Sequence, residues 1–408
     1  MRCGAAVPTG LASNRTGYCC AVDSRTPSRR SFPSHGAYPG ELADEITIAV
    51  FAPALLLTVE IHSTAHAGDE IHLHPGGQGY WISKMIQALG AAPLTCAAVG
   101  GEAGHALASL VAADGFDAWL VAMSHGNAVH VDDRRDGRIE RIAETPIPSL
   151  DRHEVDELYS AIVGASMRAG VCVLAGTQLA PMFDTDTFRR LVSDLRKNDV
   201  IVVADLSGDP LGAALSSGID IVKVSHEELI ADGWADGDSV SAIIRGIDRL
   251  VEAGARSVVV SRQNRSTVSG MDGRYLEVRS PSLEVLDGRG GGDSLTAALA
   301  VGSAQGLAFE DSLRLAAAAG ALNVSRHGLG TGRRDAIEEI ANRVEIRSVG
   351  AAPLTNRLEG STVKELAVIA RSLGVRGRSK MTRTELLAAI RAAESTASRT
   401  QTRRKTDA

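Results

Sequence analysis

The stretch DGRGGGDSLTAALAVG, residues 287–302, sets four glycines, Gly288, Gly290, Gly291 and Gly292, directly before Asp293 and an alanine-rich helical segment. Bare backbone lets successive N–H groups converge and lets an anion approach them closely. A helix starting beside the glycines would add its unpaired first-turn N–H groups to the same concavity. Gly290, Gly291 and Gly292 are therefore a candidate anion hole. Asp293 at its mouth has two readings. It is a helix cap or first-turn acid, or it takes a proton from a hydroxyl while the neighbouring amides stabilise a transferring phosphoryl group.

Outward from this loop the pattern is α/β. The apolar runs VCVLAG, VIVVADLSG, IDIVKVS and SVVVSR alternate with amphipathic stretches such as Asp186–Lys197 and Ser239–Ala253. That alternation predicts a parallel sheet covered by helices on both faces. AVHVDDRRDGRIERIAE alternates at period two around Asp136 and Gly137, which predicts a hairpin in a small β-rich lid beside the core. There is no G-x-x-x-x-G-K-[ST], no G-x-G-x-x-G after a strand and no protein-kinase catalytic loop, so phosphate chemistry must rest on more than one loop.

Other stretches supply that support. PGGQGYWISKMIQALGAAPLTCAAVGGEAG (Pro75–Gly104) resembles the first signature of the ribokinase/PfkB carbohydrate kinases, above all the 1-phosphofructokinase and tagatose-6-phosphate kinase branch, and DGRGGGDSLTAALA resembles their D-T-x-G-A-G-D signature. DLSGDPLGAAL and KVSHEEL fall between them, where that family has D-x-S-G and K-P-N-x-E-E-L. The resemblance implies a ribokinase-like three-layer sandwich with a β lid over residues 45–344. It implies an ATP- and Mg²⁺-dependent transfer to a hydroxyl of a sugar or sugar phosphate. By the same resemblance Asp293 is the base and Gly290, Gly291 and Gly292 form the anion hole. Lys223, Ser225, Glu228 and Ser261 lie on the nucleotide side, Glu228 reaching Mg²⁺ through water, and Asn323 and Gly328 wall the adenine pocket. Gly76, Gly77, Gln78, Gly79 and Trp81 face the substrate.

The departures are concentrated on the sugar side. The N-P-A-x-D element reads Ala52, Pro53, Ala54, Leu55, Leu56, and leucine cannot accept a hydrogen bond from a hydroxyl. The lysine of P-G-G-K-G is Gln78, and the asparagine three residues on is Trp81. K-P-N reads Lys223, Val224, Ser225. The S-x-G-x-x-G turn reads SRQNRS, with Gln263 and Ser266 at the glycine positions. Two readings stay open: an active kinase with a changed acceptor, or a catalytically weak nucleotide or sugar-phosphate sensor tethered to nucleic acid.

The tether would be the C-terminus. STVKELAVIARSLGVRGRSKMTRTELLAAI resembles the N-terminal, SAP-like module of transcription termination factor Rho. Its apolar positions Val363, Leu366, Ile369, Ala370, Leu373, Leu386, Leu387 and Ile390 predict two packed helices. Arg376, Arg378, Lys380 and Arg383 cluster at the connecting loop, where they either meet nucleic-acid phosphates or form a solvated basic face. With no aromatic residue in the module, any such contact is expected to be weak. Charge follows the same division: residues 345–408 hold 13 Lys+Arg against 6 Asp+Glu, a net of +7, leaving −13 for the rest. The expected layout is an extension without regular structure over 1–44, the kinase domain, a linker over 345–360, the module over 361–394 and a basic tail over 395–408. An organelle-type presequence is the alternative for the extension.

With 44% hydrophobic but only 3% aromatic residues, the core must be aliphatic. The longest apolar run, Ile48–Val59, contains Pro53 and is too short to cross a bilayer. Cys96 and Cys172 lie in strand-like runs as buried thiols, which fits a reducing cytoplasm. His62, His66, His72 and His74 cluster, but no acid or cysteine completes a metal set with them, so zinc is not expected and a surface or substrate-side role is. A homodimer through the lid is a further implication of the resemblance.

Overall fold

The computed structural model describes residues 46–64, 68–176, 182–326, 328–349, 363, 366, 370 and 381–390. The chain begins with β1 (Thr47–Ala54), β2 (Leu56–Thr64) and β3 (Gly68–Gly76), followed by α1 (Gln78–Ala88), β4 (Ala92–Val99), α2 (Gly101–Ala113) and β5 (Asp117–Ala122). The expected hairpin is β6 (Ala128–Asp133) and β7 (Glu140–Glu144). There follow α3 (Arg152–Ala169), β8 (Val171–Ala175), α4 (Thr185–Lys197), β9 (Ile201–Asp205), α5 (Gly208–Leu215), β10 (Ile219–Ser225), α6 (His226–Ala231), α7 (Val240–Ala253) and β11 (Ala255–Arg262). β12 (Arg265–Met271), β13 (Arg274–Arg279), α8 (Gly291–Ala304), α9 (Phe309–Val324), α10 (Arg334–Ala341) and β14 (Glu345–Ser348) complete the series.

Ten strands form one sheet in the order β14-β13-β12-β11-β10-β9-β8-β1-β4-β5, parallel from β11 to β5 and antiparallel at the other edge. The four apolar runs are its central strands β8, β9, β10 and β11. They are nearly continuous in Val, Ile and Leu because both faces are covered. Helices α3, α4 and α7 pack on one face and α1, α8 and α9 on the other. α4 shows why such segments become helices. Asp184 accepts from the Thr187 N–H as its cap at 2.8 Å, and Phe188, Leu191, Val192 and Leu195 recur at the helical period to form the buried stripe.

The second sheet is the lid, in the order β3-β2-β6-β7. The apolar run Ile48–Val59 is divided between the two sheets: β1 lies in the core, and the chain passes at Leu55 into β2. Residues directly paired across strands share a face. Thr58, Glu60 and His62 of β2 therefore share one with His74, His72 and Glu70 of β3 and with His130 and Asp132 of β6.

One boundary differs from expectation. Glu345–Ser348, placed in the linker, forms β14 and pairs with β13, so the core reaches at least Ser348. In the C-terminal module Leu366, Ala370, Leu386 and Ile390 are buried together. Thr382 and Glu385 form a reciprocal cap at the start of helix 383–390. Arg383 lies in that helix, whereas Arg376, Arg378, Lys380, Ile369, Leu373 and the extension 1–44 lie outside the described residues, as does His66.

Candidate active site

The glycine loop lies where α8 meets the ends of β9 and β10. Gly290, at φ 70°, is the residue before the helix, and α8 starts at Gly291, two residues earlier than the sequence suggested. The Gly291, Gly292 and Asp293 amides are thus first-turn groups, while the Ser294 N–H already bonds to the Gly290 carbonyl at 3.0 Å. Two close approaches require glycine here. A Cβ on Gly292 would lie 2.6 Å from Lys223 Nζ, and one on Gly291 would lie 2.9 Å from Val324.

The Lys223 ammonium therefore lies directly against the loop. Asp205, at the end of β9, holds it with two bonds of 3.0 and 3.1 Å. The same carboxylate accepts from Thr296 Oγ1 at 2.6 Å, tying the start of α8 to the sheet. Asp205 is 1% exposed and Lys223 5%. Burial works against the ammonium, but the Asp205, Asp293 and Glu228 carboxylates hold its pKa above the ordinary lysine value. Burial likewise raises the Asp205 pKa, with Lys223 and Thr296 opposing.

Asp293 is pushed up to about 7, first by burial and then by the charge of Asp205, with Lys223 and a hydrogen bond from Gln78 pulling the other way. A carboxylate with that value exchanges its proton near neutrality, as a general base requires. Gln78 opens α1. Its amide nitrogen serves Asp293, and its buried Oε1 has no partner. Gly76, Gly77 and Gly79 explain the tight approach of α1 to the β1–β2 junction. Their Cβ positions would lie 2.7 Å from Leu56 Cδ1, 2.8 Å from the Ala54 carbonyl and 2.3 Å from Ala52 Cβ. Trp81 stands edge-on to Tyr80 at 4.8 Å and 6.1 Å from His74, on the lid side of the cleft.

Some expected nucleotide ligands have other work. Ser225 and Glu228 form a reciprocal cap on α6: the Ser225 N–H donates to Glu228 Oε2 at 2.9 Å, and Ser225 Oγ accepts from the Glu228 N–H at 3.2 Å. The Ser225 hydroxyl accepts this bond and keeps its own O–H to donate, and Glu228 keeps Oε1 for other partners. Asn323, expected in the adenine wall, is fully buried and holds the backbone around it. Its amide donates to the Arg289 carbonyl at 2.8 Å and its oxygen accepts from the Gly330 N–H at 2.8 Å. Ser261 pairs with Ser225 at the ends of β11 and β10. Gln263 adopts φ 46° in the turn where the family has glycine and bonds to Glu227. Gly328 has φ 101° in the loop after α9.

Asp205 and Thr296 were not singled out from sequence. The signal for Asp205 was its place at the head of DLSG, where the family has D-x-S-G. Among the described residues no three His, Cys, Asp or Glu side chains converge as metal ligands. Three carboxylates, Asp205, Glu228 and Asp293, do surround one ammonium, and that excess of negative oxygen suits a hard divalent cation held mainly by water and phosphate. No described helix is long and apolar enough to cross a membrane.

Comparison with known proteins agrees with this geometry. Residues 44–336 match the family described as pfkB family carbohydrate kinase, and residues 357–398 match the Rho termination factor N-terminal domain. The chain is 27% identical over 273 residues to ATP-dependent 6-phosphofructokinase isozyme 2 of Mycobacterium tuberculosis, covering 65% of this chain and 78% of that one. It is 23% identical over 263 residues to 1-phosphofructokinase of Bacillus subtilis, covering 63% and 84%. Among solved structures, the phosphofructokinase-2 mutant Y23D of Escherichia coli superposes with a TM-score of 0.66 at 23% identity, covering 73% of this chain and 99% of that one. The matched profile covers both the glycine loop and the Gln78 segment, so the chain belongs to the pfkB family of carbohydrate kinases, which transfer the γ-phosphoryl group of ATP to a hydroxyl of a sugar or sugar phosphate.

Proposed function

We propose that the acceptor is a phosphorylated sugar, that Mg²⁺ accompanies the nucleotide, and that Asp293 is the base. The observation that carries this reading is the placement of Asp293. One partly buried carboxyl, held near neutrality, shares the first turn of α8 with the glycine amides and lies within the field of the Lys223 ammonium. Asp293 would take the proton of the acceptor hydroxyl. The amides of Gly291 and Gly292, with Lys223, would receive the developing phosphoryl charge. The free Oε1 of Gln78 would accept from a neighbouring hydroxyl and orient it. Glu228 would hold Mg²⁺ through water, and the bound ion would neutralise phosphate charge. Curated relatives named for 6-phosphofructokinase, 1-phosphofructokinase and tagatose-6-phosphate kinase activity support a phosphorylated acceptor. The test is ADP release from purified protein with fructose 6-phosphate, fructose 1-phosphate, tagatose 6-phosphate, ribose and nucleosides. Turnover with a phosphorylated ketose that disappears in Asp293→Asn supports the reading, and thermal stabilisation by ligands without turnover on any acceptor refutes it.

The match of residues 357–398 favours a second activity, weak contact of the C-terminal module with RNA or DNA phosphates through Arg376, Arg378, Lys380 and Arg383. Deleting residues 350–408 should abolish retention on RNA at low salt, and unchanged retention would remove this reading. A homodimer through the lid is supported by exposed Ile71, Leu73, Ile139 and Ile142 on the lid strands and their connecting turn. The free, buried Cys96 and Cys172 fit a cytoplasmic location.

A further inference from the structure

The glycine loop is anchored from two directions. On the helix side, the Leu286 and Asp287 N–H groups donate to the Val324 carbonyl at 2.8 and 3.2 Å, and Asn323 holds the Arg289 carbonyl. On the other side the anchor is the lid. Arg134, just after β6, places Nε 3.0 Å from Glu60 Oε1 of β2 and Nη2 3.7 Å from Asp287 Oδ2 of the loop. Arg289 closes the ring, with Nη2 2.8 Å from Asp287 and 3.9 Å from Glu60. Two carboxylates and two guanidiniums thus alternate between lid and loop, and Arg289 is next to Gly290.

Three features distinguish this ring from a surface ion pair. Glu60 is 8% exposed, so its carboxylate is met by these partners more than by water. The Arg134 Nε and Nη2 atoms are buried and make no well-aligned hydrogen bond despite their ion pairs, so the guanidinium is held by charge between two carboxylates. His62 at 3.3 Å and His74 at 3.9 Å close the remaining sides of Glu60 and shield it from water. Loss of the Glu60 charge leaves the half-buried Arg134 guanidinium facing Asp287 alone at 3.7 Å, which loosens the lid from the loop.

We propose that Glu60 and Arg289 are positioning residues that lock the lid to the glycine loop, so that the acceptor side of the cleft sets the geometry of the anion hole. The proposal rests on the reading of Gly290–Gly292 as that hole. Its consequence is that a change on the lid alters the handling of phosphate without touching the nucleotide side. Glu60 shares its lid face with His74, whose ring is 6.1 Å from Trp81, so an acceptor seated against that face would couple its own binding to the formation of the hole.

The test combines amide hydrogen exchange on the unliganded full-length protein with kinetics. In Glu60→Gln, the hydrogen-bonded amides of Leu286, Asp287 and Ser294 should exchange at least about threefold faster, while β8 and β9 stay unchanged. Reciprocally, Arg289→Gln should speed exchange in β2 and at the Arg134 N–H, which bonds to the Ile61 carbonyl at 2.8 Å. In turnover, Glu60→Gln should lower kcat and raise the KM for ATP about tenfold in kcat/KM, Glu60→Asp should retain part of it, and Glu60→Gln with Arg289→Gln should cost little more than either alone. Unchanged exchange at Leu286, Asp287 and Ser294 in both Glu60→Gln and Glu60→Asp, or an effect confined to the KM of the acceptor, overturns the proposal. Absence of ADP release from the unsubstituted protein would overturn the kinase reading instead, and the exchange result stands apart from it.

Discussion

Replacing Asp293 by asparagine separates the two readings that the local sequence allows. A first-turn acid that only complements a helix end stabilises it by about 0.3–1 kcal/mol, so its loss should lower stability at neutral and alkaline pH. The structure gives the opposite sign. The Asp293 carboxyl, with an ordinary value of 3.8, is held at about 7, chiefly by burial and then by Asp205. The folded chain therefore binds this proton more tightly than the unfolded chain does. Ionisation works against folding: the penalty is small below about pH 4, grows as the pH rises towards 7 and is complete above it. At about 1.4 kcal/mol per pH unit over that window, the full penalty reaches up to about 4 kcal/mol. Asp293→Asn removes it. Thermal unfolding at pH 8 should show Tm higher by about 5 °C or more, with little change at pH 4, while turnover falls by a factor of about 10²–10⁴. A lower Tm at pH 8, or retained turnover, would refute the assignment of Asp293 as a partly buried base.

Three further outcomes follow from the same cluster. Turnover of the unsubstituted protein should rise with pH through about 7 as Asp293 loses its proton, and in Asp205→Asn, where Lys223 acts unopposed, that limb of the kcat/KM profile should move down by about one pH unit. Gly292→Ala should push the buried Lys223 ammonium away from Asp205, lowering Tm and lowering kcat about tenfold or more, as thermal unfolding and steady-state kinetics would show. Gly79→Ala should instead destabilise the fold by about 1–3 kcal/mol in urea unfolding, since its Cβ would lie 2.3 Å from Ala52 Cβ and 2.9 Å from the Ala52 backbone.

The contrast between Gly292 and Gly79 shows what sequence makes legible. Both stand in glycine-rich motifs, and the motifs alone place both at the site. Only the structure shows that one glycine makes room for a charge and the other for packing. The central strands were legible because a parallel sheet covered on both faces needs unbroken apolar runs, and VIVVAD and IDIVKVS admit no other period. Asp293 was legible because it directly follows the glycines. Asp205 stood at the head of DLSG, but its pairing was not legible, because its partners Lys223 and Thr296 are 18 and 91 residues away. The backbone bonds of Asn323 were not legible either, because Arg289 and Gly330, which its two polar ends hold, lie in loops before α8 and after α9. Glu60 and Arg134 belong to a lid whose charged turn reads as solvent-exposed until the fold brings it against Asp287.

The substitutions at Leu56, Gln78 and Trp81 can now be weighed against the acceptors that remain. Leu56 packs its Cδ1 towards Gly76, so the carboxylate of the family at that register is replaced by packing rather than by another acceptor. Glu60, two positions further along the same face of β2, does carry a carboxylate, but Arg134 and His62 occupy it. Asp287 is likewise engaged by Arg289 through both of its oxygens. Beside Asp293, Gln78 Oε1 is a buried acceptor without a partner among the described residues. On the proposed reading, orientation of the reacting hydroxyl would fall to a neutral amide that also tunes the base, since the same side chain lowers the Asp293 pKa. Acceptor choice and base strength would then be joined in one residue, so Gln78→Leu should raise the pH at which turnover develops and relax discrimination among acceptors together. A substitution that moved one without the other would show that the hydroxyl is held elsewhere.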